Sequence, residues 1–458
     1  MAGPEHVKGP HGRVVAGDGS ALLANYRAGC TDPSAEVERS LVAFGDVGAD
    51  LNAAITVLGD QARLAAQDSV RRYRDGTARS LEGLPVGIKD IIAVGGVPLT
   101  AGSRVLAGHV PPRDAEVVRR LRAAGALVVA KLATFAFANG DPVNVDFGVT
   151  RNPADPAHLA GGSSSGSAAA VGSGCVPVAL GSDTGGSIRL PAAYCGLAGI
   201  KPTFGRVSRD GVLPLAWTLD HVGPLTRTVR DLRLVLPILD DPAARRPPPA
   251  VPTVPVGLRV GVPDSYFLDR LDAATASAFD SALRALSAGG ARVVHVHVPD
   301  LNLAEPVGRT IITAEMASLH EQFADRATRY DDLLGARLAA ADKVLATDYL
   351  KAQRLRVLLD RNVTATFAHC DVLATPTTPT VAPRIDSLTV QAAGKTVPWL
   401  DVAARNTFPF NLTGMPAVTV PMQTSGLPVG LQLAGPRWSD LLVLDVAEWF
   451  EGLRGDDT

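Results

Sequence analysis

The feature that most restricts how this chain can fold is a segment, residues 140–225, that is dense in glycine, serine and proline. It is nearly free of hydrophobic periodicity until SAAAV at 167–171. A stretch this long without regular patterning is unusual inside a compact domain and is more often functional than a linker. Around it the chain alternates helix and strand. Leu84–Val86 leads into GIKD at 87–90, and Asp114 is expected to cap a helix over Ala115–Ala124, with Val117, Val118 and Leu121 on one face. Gly125 can end that helix, and ALVVA at 126–130 reads as a buried strand. Past the segment, LRVGVP and ARVVHVHVP flank a helix over Ala273–Ser287. Helices at about 308–325 and 346–368, the strand VLATP at 372–376 and short strands between Pro409 and Leu433 follow. The pattern predicts an α/β protein, an open sheet with helices on its faces.

The ends of this pattern are less regular. Residues 1–18 carry glycine, proline and histidine without apolar periodicity and are expected to be poorly ordered. Between Ser34 and Arg74 helical spacing predicts two helices that pack through Leu41, Ile55, Leu58, Leu64 and Ala65. The proline-rich run at 240–257 favours an extended, solvated path. It could divide two domains, or it could be a surface excursion from one continuous sheet.

Bulk properties exclude several classes of function. A formal net charge of −2 leaves no electrostatic footprint for nucleic acid. There is no basic amphipathic stretch for a membrane surface, and no run approaches the ~18 apolar residues of a membrane span. The four cysteines, Cys30, Cys175, Cys195 and Cys370, form no CxxC pair, so free thiols are expected rather than disulfides or zinc. His295 and His297 could face one metal from a strand, but no third ligand is visible, and no metal or organic cofactor is expected. The start, MAGPEHVKGPHGRV, has no apolar core of a secretory signal, so a cytoplasmic location is expected.

Within the central segment two stretches stand out, GGSSSGSAAAV at 161–171 and GSDTGGSIRLP at 181–191. Such loops can cradle phosphate at a helix start. The G-K-[ST] ending of a P-loop and the GxGxxG order of a dinucleotide turn are both missing, however. Gly162 to Gly166 satisfies G-x-S-x-G, the pattern of a nucleophile elbow, but the preceding NPADPAHLA is not the strand an elbow requires. A triad on that plan would draw on Asp220 and His221, whose side chains need not converge. A third reading takes both stretches together with GIKD. In TGGS the N–H groups of Thr184, Gly185, Gly186 and Ser187 can form a nest beside the Ser187 hydroxyl, suited to the oxyanion formed when serine attacks a carbonyl. A serine needs an adjacent base. No histidine lies in these motifs, which makes Lys89 the better candidate.

GIKD, GGSSSGSAAAV and GSDTGGSIRLPAAYCGLAGIKPTFGRVSRDG, in this order, resemble the amidase signature family. So do AGSR (101–104), TRNP (150–153), DHVGPLTRT (220–228), VLATPTTP (372–379) and GLPVGLQL (426–433), and the similarity runs from about residue 34 to 450. The resemblance implies one domain over 19–458, built on a large mixed, mostly parallel sheet covered by helices on both faces. It implies Ser187 as nucleophile, Ser163 after a cis peptide as bridging serine, and Lys89 as base. Backbone N–H groups of Thr184 through Ser187 would be the oxyanion hole, with Asp183 and Arg189 bracing the loop. The expected reaction is hydrolysis of a small-molecule amide through an acyl-enzyme, with the amide as partner and a homodimer left open. The rival is the A subunit of a glutamyl-tRNA amidotransferase, which makes ammonia from glutamine for a partner subunit. The apolar run GVLPLAW at 211–217 favours a less charged substrate.

A physical demand follows. Lys89 must be neutral to accept a proton, so it must be buried and face Ser163, with Asp90 directed elsewhere. Neighbouring strand residues alternate sides, which allows that separation. Departures from the family pattern are Ser165 for a usual glycine, Ala136 for a glutamate and Ala160 for a proline. Phe135, Phe137 and Trp217 are candidates for the pocket wall or for the core.

Overall fold

The computed structural model describes residues 18–244 and 257–453. The expectations for residues 1–17 and for much of 240–257 fall outside the described residues. Eleven strands form one sheet. In chain order they are β1 (Ala54–Val57), β2 (Pro85–Lys89), β3 (Leu127–Leu132), β4 (Val178–Asp183), β5 (Ala198–Lys201), β6 (His221–Thr226), β7 (Arg259–Pro263), β8 (Arg292–Val296), β9 (Val372–Pro376), β10 (Ala417–Pro421) and β11 (Gly430–Ala434). Across the sheet they lie in the order β1-β3-β2-β4-β6-β5-β10-β11-β9-β7-β8.

The sheet is mixed, and its parallel pairing sits on the two flanks. β2 runs parallel with β3 and β4, and β7 runs parallel with β8 and β9. From β4 through β6, β5, β10 and β11 to β9 the neighbours are antiparallel. The β–α–β rhythm of the sequence marks the flanks; the antiparallel middle is built from short strands within and after the Gly/Ser-rich region. β5 precedes the proline-rich run and β10 follows it, yet they pair directly, so one sheet extends across both sides of it.

Alternation along the strands puts apolar residues on both faces. Val128 joins one buried cluster while Leu127 and Val129 join another, and in β4 Val178 and Leu180 separate from Ala179 in the same way. The helix Ser165–Gly172 is buried around nearly its whole circumference. Its serines and alanines are small enough to let it lie against β2, β3 and β4.

Several local expectations are corrected. Ile55 lies in β1 rather than in a helix, and Leu64 is 66% exposed instead of facing the core. The two helices of that region, Pro33–Gly45 and Gly59–Arg74, are separated by this strand. Asp114 does not cap the helix Glu116–Ala123; its carboxylate instead accepts from Gly95 N (2.7 Å) and pairs with Arg122 (3.0 Å). The long helices run over Ala304–His320 and Ala346–Thr366, with a further helix, Asp332–Ala341, between them.

Candidate active site

β2 and β4 are adjacent and parallel, with Ile88 opposite Leu180, so Lys89 and the pair Ser182–Asp183 end on the same edge of the sheet. Ligands of open α/β sheets bind in the crevice at the carboxyl ends of such strands. Lys89 is fully buried, and its Nζ lies 2.8 Å from Ser163 Oγ and 2.8 Å from Ser182 Oγ. Burial lowers its pKa to about 7, against the opposing pull of Asp183 and then Asp220. Asp90, the next residue, turns away. It pairs with the buried Lys131 of β3 at 2.6 Å and accepts from Thr100 N at 2.9 Å. The two neighbours therefore face different partners, as strand alternation predicts.

Ser163 precedes the helix Ser165–Gly172, and the Gly162–Ser163 peptide is cis. Phe135 N donates to Ser163 O (3.3 Å), and the Phe135 ring packs so closely on Gly162 that a Cβ there would overlap it. Ser164 N donates in turn to Ser187 O (3.3 Å), which ties the two loops together through the backbone. Among the described residues no hydrogen bond joins the hydroxyls of Ser163 and Ser187. Ser187 is half-buried, whereas Ser163 behind it is buried.

The loop from Asp183 to Arg189 is held by a buried bidentate pair. Arg189 Nε and Nη2 donate to Asp183 Oδ2 and Oδ1, both at 2.9 Å. The remaining guanidinium donors reach Thr407 O (3.0 Å), Gln432 Oε1 (2.7 Å) and Asn411 Oδ1 (2.6 Å). Burial alone would raise the Asp183 carboxyl, but Arg189 and Asn411 override it and hold the group well below the usual carboxylate range. Gly186 has φ +136°, a conformation that favours glycine, and any Cβ there would drive into Thr407. The N–H groups of Gly185, Gly186 and Ser187 donate to no other described residue, which leaves them available to an anion beside Ser187.

Beside this loop is a cavity of about 440 Å³ whose lining includes Ser182, Thr184, Arg209, Asp220, Leu213 and Trp217. Trp217 is 44% exposed. Phe135 and Phe137 are packing residues: Phe135 sits among Leu159, Leu190 and Trp399, and Phe137 packs against His320, Phe323 and Tyr330. Ser165 is buried, with its hydroxyl 3.2 Å from Thr150 Oγ1, and points away from Lys89. Ala136 and Ala160 are likewise core residues. His295 and His297 are exposed on β8 and just beyond its end, and His297 lies against Asp264 at 3.0 Å; no metal-binding cluster occurs among the described residues. All four cysteines are free. No helix among the described residues is long and apolar enough to cross a membrane.

Ser182 was not singled out from the sequence, and Asp220 was named there only as a partner for His221. Ser182 stands next to Asp183 and, by alternation, faces Lys89. That signal could have been read once residues 178–183 were recognised as a strand parallel to 85–89. Asp220 and His221 do not converge. The Asp220 carboxylate accepts the Thr184 hydroxyl, whereas His221 Nδ1 lies 2.7 Å from Leu219 O and Nε2 faces Lys201 at 3.3 Å.

A mixed sheet wrapped by helices, with a lysine, a serine after a cis peptide and a half-buried serine gathered at its edge, defines a family of amide hydrolases. The chain belongs to that family, Amidase, whose profile matches residues 36–444, and is accordingly an amide C–N hydrolase. It is 38% identical over 434 residues to the A subunit of the glutamyl-tRNA(Gln) amidotransferase of Chloroflexus aggregans, covering 86% of this chain and 87% of the relative. A solved amidase structure matches with a TM-score of 0.89 at 33% identity, covering 95% of this chain and 99% of that one. The A subunit of the glutamyl-tRNA(Gln) amidotransferase of Thermotoga maritima matches with a TM-score of 0.75 at 30% identity, covering 91% and 90%.

Proposed function

We propose that the protein hydrolyses a small-molecule amide through an acyl-enzyme on Ser187, with Ser163 and Lys89 carrying the proton. The observation that supports this most is the buried Lys89, held by two serine hydroxyls and kept apart from Asp90. Ser187 Oγ bonds to the amide carbonyl carbon while its proton passes by way of Ser163 to Lys89. The oxyanion is met by the N–H groups of Thr184, Gly185, Gly186 and Ser187. The C–N bond then breaks, and the same proton returns through Ser163 to the departing amine or ammonia. Water adds to the acyl carbon, giving its proton to the relay; the ester C–O bond then breaks, the relay returns that proton to Ser187 Oγ, and a carboxylic acid leaves. The hydroxyls of Ser163 and Ser187 must close up for the first transfer, and catalytic hydrogen bonds commonly tighten only when substrate binds.

The substrate we favour is a weakly charged amide, cleaved with no partner subunit required. Leu213, Leu215 and Trp217 line the cavity, beside Arg209, Asp210 and Asp220, and support a weakly charged amide; the 0.89 TM-score to a solved amidase supports amide hydrolysis. The sequence identity to the amidotransferase relatives favours a second reading, release of ammonia from glutamine for a partner subunit. Ammonia or amine release across linear, aryl, peptide and urea-like amides and glutamine, beside Ser187→Ala, separates them. Turnover of a weakly charged amide lost in Ser187→Ala supports the first reading. Glutamine as the one substrate cleaved, with a tRNA-binding partner co-purifying, supports the second. Full activity in Ser187→Ala overturns both.

A further inference from the structure

One buried carboxylate beside the site has no part in the chemistry above. Asp220 lies just before β6 and lines the cavity next to the nest. Its Oδ1 accepts the Thr184 hydroxyl at 2.6 Å and Ala216 N at 3.1 Å, and its Oδ2 accepts Leu215 N at 2.9 Å and Ala216 N at 3.1 Å. A carboxylate can accept all of these at once. A carboxylic acid offers Leu215 N and Ala216 N only neutral oxygens, for hydrogen bonds about half as strong as charge-assisted ones, and the Thr184 hydroxyl must turn round to accept its proton. Thr184 begins the TGGS nest, and Leu215 and Trp217 line the cavity, so a single ionisable group fastens both the nest and the turn at 215–217.

We propose that Asp220 is a positioning residue: its carboxylate locks the Thr184 end of the nest to the Leu215–Ala216 backbone, and its protonation weakens the hold on both. Acid then shuts the enzyme down at a step separate from protonation of Lys89. The inference rests on the Ser187 mechanism proposed above. The charged groups that act on Asp220 are Lys89 on β2 and Arg209, and Asp210, His221 and Asp241 line the same cavity, while Asp183 at the end of β4 acts on Lys89. Burial is the largest influence and raises Asp220 to about 6, against the Thr184 hydroxyl, the Ala216 and Leu215 N–H groups and Arg209. An ionised Asp220 also raises Lys89, so the two titrate as a coupled pair.

The test is kcat/KM against pH for the full-length wild type, Asp220→Asn, Thr184→Val and Thr184→Ser. The amide is the one the wild type cleaves fastest, with Ser187→Ala as the blank. The wild type is expected to lose activity toward acid with a limiting slope of two protons, one for Lys89 and one for Asp220. Asp220→Asn is expected to show one proton only, with its limb moved to lower pH because Lys89 has lost a nearby negative charge. Its plateau kcat is expected to fall about tenfold or more, since donors aimed at the oxyanion are displaced. Thr184→Val is expected to lower the plateau and Thr184→Ser to restore it. A folded Asp220→Asn that keeps the two-proton limb at its wild-type position overturns the proposal. If Asp220→Asn does not fold, the Thr184 pair decides: equal plateaus in Thr184→Val and wild type overturn it. Activity persisting in Ser187→Ala instead overturns the Ser187 mechanism, so the two failures are told apart.

Discussion

At the residue scale the site is governed by what burial does to a lysine. Lys89 has no carboxylate on its ammonium, and desolvation brings its pKa down to about 7. In the proposed mechanism its neutral form is the base, so kcat/KM should rise with pH through a limb near 7 and be lost as pH falls below it. A profile flat from acid to neutral pH would remove Lys89 from the proton path. Serine-reactive labelling of Ser187 should likewise collapse in Lys89→Ala. Ser182 offers a second hydroxyl to the same Nζ. Ser182→Ala leaves Ser163 in place, and we expect kcat to fall about tenfold with KM nearly unchanged, since the lost contact orients the base rather than the substrate. A rise in KM alone would show that Ser182 serves binding instead.

At the scale of single elements the decisive object is the loop between β4 and the helix Arg189–Tyr194. It is stretched over the nest by Gly186 and clamped by Asp183 with Arg189, and both ions of the clamp are fully buried. Removing one partner of such a pair leaves an uncompensated buried charge, at about 3–5 kcal/mol. Arg189→Met is therefore expected to lower stability by that amount in denaturant titration and to abolish turnover. A variant of wild-type stability would show the pair to be dispensable. Elements also differ in how plainly the sequence announces them. β3 and β9 are legible as continuous apolar runs. β1 is not, because AITV sits between two helical patterns and is only half-buried. The helix Asp332–Ala341 escapes a reading of the sequence because few of its residues are buried, which leaves a weak apolar face.

At the scale of the whole molecule the antiparallel pairing of β5 with β10 joins the chain before the proline-rich run to the chain after it. The site depends on that joint. Arg189 on the earlier side is held by Thr407, Asn411 and Gln432 on the later side. We therefore expect one cooperative unfolding transition, with tryptophan fluorescence and far-ultraviolet circular dichroism superimposing. Two separated transitions would show that the halves hold together independently and meet only at the site.

By itself the sequence determined the reaction class, amide C–N hydrolysis, and the residues proposed to carry it. Serine in a glycine nest needs a base, histidine is absent from the motifs, and the ordered segments around Lys89, Ser163 and Ser187 carry a family pattern that chance does not produce. The tertiary structure alone decided what surrounds those groups. Lys131 sits in a sequence-distant strand and takes Asp90 away from Lys89. Thr407, Asn411 and Gln432 come from residues more than two hundred positions beyond the loop they brace. Asp220 is bound to the nest rather than to the adjacent histidine. The physical reason is common to all three. Local pattern reports which groups are reactive, whereas pKa values and the alignment of donors depend on burial and on charges that only long-range packing brings within reach.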